Sequence, residues 1–291
     1  SFTVKRAGNL LSALVAGRAV HAPYPTVGGF LRVPEKAAVA PVLAELAKAR
    51  PLVLDLIKEF AQWDERFERE TDFVALTTND FSFLEGSICS SSGLCFPEFA
   101  YPSHLERVVI PYSQASGFRF VGKEYMVGAL ARLNLNKVAL HPDTKRDAAA
   151  ALALFPSKNI FHNNLAQAIE VLHCIDHATE LLTGREFVAE PLQRPQPFTE
   201  PETGIGVIEA PRGTLYYKLT VSPAGHVTDA TVVVPSAQNQ INTEKDIGKL
   251  VQDLLGRGLE KPEIEREIEK LVRAYDPCMS CASHFLRVRW R

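Results

Sequence analysis

Four prolines fall within residues 191–201, and the spacing of apolar residues differs on the two sides of that stretch. Proline fixes φ and has no backbone donor, so such a run interrupts helices and central strands alike and reads as an internal linker. Upstream, Ala166, Ile169, Leu172, His173, Ile175 and Ala178 recur at helical spacing and predict a helix over residues 164–182, with Gly184 placed to end it. A longer helical region is expected over residues 34–70, broken or kinked at Pro41 and Pro51 and ending in a charged, solvated face. Residues 73–120 read as loops and brief strands. Downstream, residues 215–221 and 227–234 are β-branched or aromatic runs joined by Pro223-Ala224-Gly225-His226, which predicts a β-hairpin. Helical spacing returns over residues 243–274, interrupted near Gly256, Gly258 and Pro262. The expected fold is α+β and predominantly helical, with a β-hairpin and small antiparallel sheets near the C-terminal end. A single domain is expected to span residues 1–291. The chain opens without Met and in what reads as mid-helix, so upstream sequence is expected to be missing.

A chain of 291 residues can bury a large core, and 46% hydrophobic with 23% charged residues is an ordinary globular composition. A net charge of −2 gives no case for nucleic acid or an anionic membrane surface. No apolar run is long enough to span a bilayer, and residues 1–14 lack the cleavage pattern of a signal peptide. A cytoplasmic location is the default expectation. Five cysteines are an odd count that does not suggest a disulfide framework, and in a reducing compartment clustered thiols more often mean metal or redox chemistry.

The chemistry concentrates in Tyr275-Asp276-Pro277-Cys278-Met279-Ser280-Cys281-Ala282-Ser283-His284. Two thiols three residues apart can grip one ion from one side of a bend, and Pro277 helps to set that bend. A bare pair of this spacing also occurs in redox motifs and in half of many zinc sites. A second candidate is Glu209-Ala210-Pro211-Arg212-Gly213. Glu209 and Arg212 could be an ordinary exposed ion pair, but Arg212 is constrained by Pro211 and Gly213, so its guanidinium can be aimed. A third is Pro235-Ser236-Ala237-Gln238-Asn239, which taken alone is a strand-terminating amide turn.

Together these stretches resemble the large subunit of nickel–iron hydrogenases. The terminal DPCxxCxxH, the EAPRG at 209–213, the PSxxN at 235–239, Gly17-Arg18 with His21 and Gly28-Gly29, and residues 125–132 and 162–170 follow the family's order along nearly the whole chain. The resemblance implies a nickel held by four cysteine thiolates, two of them bridging to an iron that carries small diatomic ligands. By position, Cys278 would be a terminal nickel ligand and Cys281 a bridge. Arg212 would sit over the metals, with Pro211 and Asp276 completing the outer shell. Ser236 would hydrogen-bond a ligand on iron. His284 would hold a magnesium together with a backbone carbonyl of the hairpin, that of Val232. The reaction implied is reversible heterolytic cleavage of H2, with electrons passed to an iron–sulfur small subunit and further electron-transfer subunits, and no iron–sulfur cluster in this chain. The wording of residues 214–217 and 238–239 is similar to the soluble multi-subunit kinds.

Two features depart from the family. Its N-terminal RxCGxC motif, with two more metal-binding cysteines and a proton-relaying glutamate, is absent, so another chain or segment is expected to supply two thiolates. Cys89 and Cys95 read as loop thiols and Cys174 as a buried helix residue. Residues 285–291 follow the terminal His, where the family is cleaved after nickel insertion. Two other readings stand beside the first: a hydrogenase-like scaffold without nickel, and a structural zinc protein using Cys89, Cys95, Cys278 and Cys281.

Overall fold

The computed structural model describes residues 2–113 and 115–282. The chain runs through α1 (Phe2–Ala16), a small ribbon of β1 (Pro25–Thr26) and β2 (Gly29–Phe30), and the long α2 (Lys36–Gln62). Next come β3 (Asp72–Thr77), β4 (Ser87–Ser90), β5 (Cys95–Pro97), a 3-10 turn over Glu98–Ser103, β6 (Leu105–Val108), β7 (Gly117–Phe120) and β8 (Tyr125–Met126). A helical block follows: α3 (Ala129–Asn136), a 3-10 turn over Lys137–Ala139, α4 (Pro142–Asp147), α5 (Ala149–Leu152) and α6 (His162–Gly184). Beyond the prolines lie β9 (Glu202–Ala210), β10 (Gly213–Val221), β11 (Val227–Val233), α7 (Pro235–Gly256) and α8 (Lys261–Ala274). The architecture is α+β.

Three hydrophobic cores form among the described residues. A small one joins Leu254, Ile264 and Ile268 of α7 and α8, and the other two each take residues from both sides of the linker. The larger packs α1, α2, α3 and α6 through Leu46, Val53, Leu130, Leu133, Leu165, Ile169 and Leu172, and closes against Leu271, Ala274 and Tyr275 at the end of α8. The smaller packs Val74, Ile88 and Tyr125 against Val207, Tyr216, Val233 and Ala237. The linker itself is irregular, and its Gln193 donates its backbone N–H to the carbonyl of Gly28.

Several expectations need correction. Pro41 and Pro51 do not end α2, which runs through both. Each removes one backbone bond, but Val42, Leu46, Ala49, Val53 and Ile57 are buried along one stripe, and that packing holds the helix together. The hairpin of β10 and β11 is present, and β9 makes it a three-stranded antiparallel sheet of order β11-β10-β9. The small sheets are not all antiparallel, since β8 pairs with β3 in parallel. Residues 235–239 are not a strand-ending turn. Pro235 occupies the first turn of α7, where a missing N–H costs nothing.

Candidate metal centre

Ala210 faces Gly213 across the β9–β10 ladder, so Pro211 and Arg212 are the two residues of a tight turn. Gly213 has φ +133°, and a Cβ there would stand 2.9 Å from the backbone N of Gly128. Only glycine lets the turn lie this close to the start of α3. From this turn Arg212 reaches the C-terminal bend: its Nε donates to the carbonyl of Asp276 at 2.8 Å, and its Nη2 lies 3.2 Å from an Asp276 carboxylate oxygen. Arg212 and Glu209 do not form the ion pair that adjacency suggests. Glu209 is buried and bonds Arg132, the Thr214 hydroxyl and the Leu76 backbone N–H.

The bend is pinned from three more directions. Asn163 and Gln167, one turn apart on α6, donate to the Ala274 carbonyl at 2.8 Å and the Asp276 carboxylate at 2.9 Å. The Ser236 hydroxyl oxygen accepts the Cys278 backbone N–H at 3.1 Å. The Tyr275 phenol donates to Asp246 and accepts from Asn242 on α7, and Arg69 bonds both of those side chains. Burial pushes the Tyr275 phenol and the Asp246 carboxyl above their ordinary values. Asp276 itself has φ +49°, the left-handed region that Asp tolerates better than most residues. That conformation reverses the chain after α8 and delivers Cys278 toward Ser236.

Cys278 is half-buried and Cys281 exposed, with Cα atoms 5.3 Å apart and the two sulfurs joined as a disulfide. Reduced, the same placement puts two soft thiolates on one side of the bend, a donor pair that suits nickel. Among the described residues no group of three or more His, Cys, Asp or Glu side chains is placed to hold a metal ion. The pair therefore fits one half of a four-thiolate set. His284 lies outside the described residues. Val232 stands in β11 opposite Tyr217, with its side chain exposed.

The other cysteines do not join this site. Cys89 and Cys95 are not loop thiols: they face each other across β4 and β5 and are disulfide-bonded. A zinc site drawing on all four is not formed. Cys174 is exposed, because the buried stripe of α6 takes Leu172, His173, Ile175 and Asp176 and leaves Cys174 on the outer face with Val171. Asn242 and Asp246 were not singled out by the sequence, and Arg132, Asn163, Gln167 and Tyr275 lay within the motif stretches but were given no role of their own. For Arg132, Asn163 and Gln167 the signal was a polar side chain within a helix whose buried residues are mostly apolar. Asn242 and Asp246 lie on a largely polar inward face of α7 and carried no such signal.

Residues 101–284 match the family model for nickel-dependent hydrogenases. The Pyrococcus furiosus sulfhydrogenase 1 subunit alpha is 32% identical over 291 residues, covering 98% of this chain and 67% of that subunit. The NAD-reducing hydrogenase HoxS subunit beta of Cupriavidus necator is 32% identical over 202 residues, 65% of this chain and 41% of its own length. The crystal structure of an NAD+-reducing NiFe-hydrogenase in the H2-reduced state superposes with a TM-score of 0.77 at 25% identity, over 96% of this chain and 67% of that one. No helix among the described residues is long and apolar enough to cross a membrane. The chain belongs to the nickel-dependent hydrogenases, as a large-subunit chain of an enzyme that acts on H2 at a nickel–iron centre.

Proposed function

We propose that Cys278 and Cys281 are this chain's two ligands, and that their thiolates would hold the nickel–iron centre. The observation that carries this reading is the bond from Arg212 to Asp276, two residues before Cys278, which brings the β9–β10 turn onto the thiol bend. When bound, the centre supplies the metals on which H2 is cleaved heterolytically. The chain's own groups then have distinct tasks. The Cys278 Sγ, as a basic thiolate, would take up the proton released in the cleavage. Arg212 presents a fixed positive charge, and Asp276 orients it while Pro211 shapes the same face. The Ser236 oxygen accepts from the Cys278 N–H, and its own O–H would be a donor toward a diatomic ligand of the centre.

Two more thiolates come from a further segment or chain, in keeping with relatives of which this chain spans about two thirds. His284 and the backbone carbonyl of Val232 would hold a magnesium. The partners are an iron–sulfur small subunit and further electron-transfer subunits, in a complex that works in the cytoplasm. Metal analysis and H2-dependent dye reduction on the purified complex test the reading together. One nickel per large-subunit chain is expected, with iron in excess of it because of the partner's iron–sulfur clusters, and the nickel is lost in Cys278→Ala. Arg212→Lys should keep the metals and lower turnover by ~100-fold, the usual scale for removing one preorganised donor. A complex without nickel, or an Arg212→Lys enzyme as fast as its parent, would overturn it.

A further inference from the structure

The turn that presents Arg212 is held by a group that takes no part in the chemistry assigned above. Arg132 on α3 is buried, 2% exposed, between Glu170 of α6 and Glu209 at the end of β9. Its guanidinium has five N–H donors and all five are engaged. Nε and Nη2 bond the two oxygens of Glu170 at 2.6 and 2.7 Å, and Nη1 bonds Glu209 at 2.5 Å. The remaining two donate to backbone carbonyls, those of Ala210 and Pro211, each at 3.0 Å. These are the two carbonyls that directly precede Arg212. On the far side of the turn the Arg212 carbonyl lies against Gly128, whose own carbonyl accepts the backbone N–H of Arg132.

Burying a cation between two carboxylates is a poor way to gain stability alone, because apolar residues of similar volume commonly do as well. A planar fork that also fixes two consecutive peptide groups does something apolar residues cannot. We propose that Arg132 is a positioning residue for the H2 reaction: by holding the Ala210 and Pro211 carbonyls it sets the direction in which Arg212 leaves the turn. The proposal rests on the role given to Arg212 above. A residue that merely supports the fold would lower the amount of loaded enzyme, whereas a positioning residue lowers the rate of each loaded site.

The test is a double-mutant comparison in the assembled complex, with turnover of H2 expressed per nickel atom. Arg132→Lys keeps a cation against Glu170 and Glu209 but has three donors in place of five, so the carbonyls lose theirs. It is expected to slow turnover per nickel by ~10-fold or more, the scale on which small misplacements act. In an Arg212→Lys background it should cause no further loss. Should Arg132→Lys not assemble, Glu170→Gln takes its place, since it keeps four of the five acceptors and loosens the same guanidinium. If the substitution leaves turnover per nickel unchanged while Arg212→Lys is slow, the inference fails and the role of Arg212 stands. The inference also fails if the two losses multiply. If Arg212→Lys is itself as fast as the parent, it is the role of Arg212 that fails.

Discussion

Two single residues set how closely the β9–β10 turn and the terminal bend approach their neighbours. Gly213 has φ +133° and no room for a Cβ against Val127 and Gly128. Gly213→Ala should therefore lower stability by roughly 1–3 kcal/mol and reduce nickel content at the same time, read by thermal unfolding and metal analysis. Ser236→Ala leaves the Cys278 N–H without its acceptor, at a cost of about 1 kcal/mol, and is expected to lower turnover per nickel. The importance of these positions was partly legible in the sequence. Pro211 and Gly213 flanking Arg212 announce an aimed side chain, and two thiols beside Pro277 announce a bend. What Arg212 is aimed at was not legible without the family resemblance, because its acceptor lies 64 residues further along. Glu209 was misread for the converse reason. It is near Arg212 in sequence, but strand alternation turns it inward, where Arg132 satisfies it at a separation of 77 residues.

Helices α2 and α7 show what periodicity reads well and where it stops. The apolar stripe of α2 was visible, and so were its prolines, but the outcome of their competition depends on tertiary packing that a local pattern does not contain. Pro51 is exposed in a continuous helix, so Pro51→Ala should raise stability, by up to about 3 kcal/mol less the unfolded-state entropy that proline removes. Urea midpoints of the two proteins check this, and an unchanged or lower midpoint would mean that α2 has already adjusted to the proline. In α7, Gln238 and Asn239 looked like turn residues because amides favour turns. They are instead buried in the first turns of the helix. Gln238 bonds Tyr125 and the Thr214 carbonyl, and Asn239 bonds both the N–H and the carbonyl of Val127. They tie α7 to the strand that leads into α3, which is how Ser236 comes to face the terminal bend.

Across the whole molecule, acid should be felt through His173. It is buried on α6, its Nδ1 accepts the His141 backbone N–H, and its ring meets Phe81 and Phe83 edge-on. Burial, with smaller contributions from His177 and His141, pulls its pKa from 6.5 down to about 4. A base depressed in the folded state stays neutral there while the unfolded chain takes up a proton. Stability is therefore lost as pH falls from about 6.5 toward 4, by roughly 3 kcal/mol across that window. Unfolding followed between those limits should show this slope, and His173→Gln should flatten it. The two-sided composition of the two larger cores has a similar long-range character. The linker marks a change of period, yet Leu271 and Tyr275 complete a core begun by α2 and α6.

The pins on the terminal bend carry one more consequence. Asn163, Gln167, Arg212 and Ser236 precede their partners by 111, 109, 64 and 42 residues. During synthesis the sulfurs leave the ribosome after every side chain that holds their backbone. The cradle can thus be built before its cargo arrives, and a chain released just short of residue 276 should already show the protected amides of α6 and β10 in hydrogen exchange.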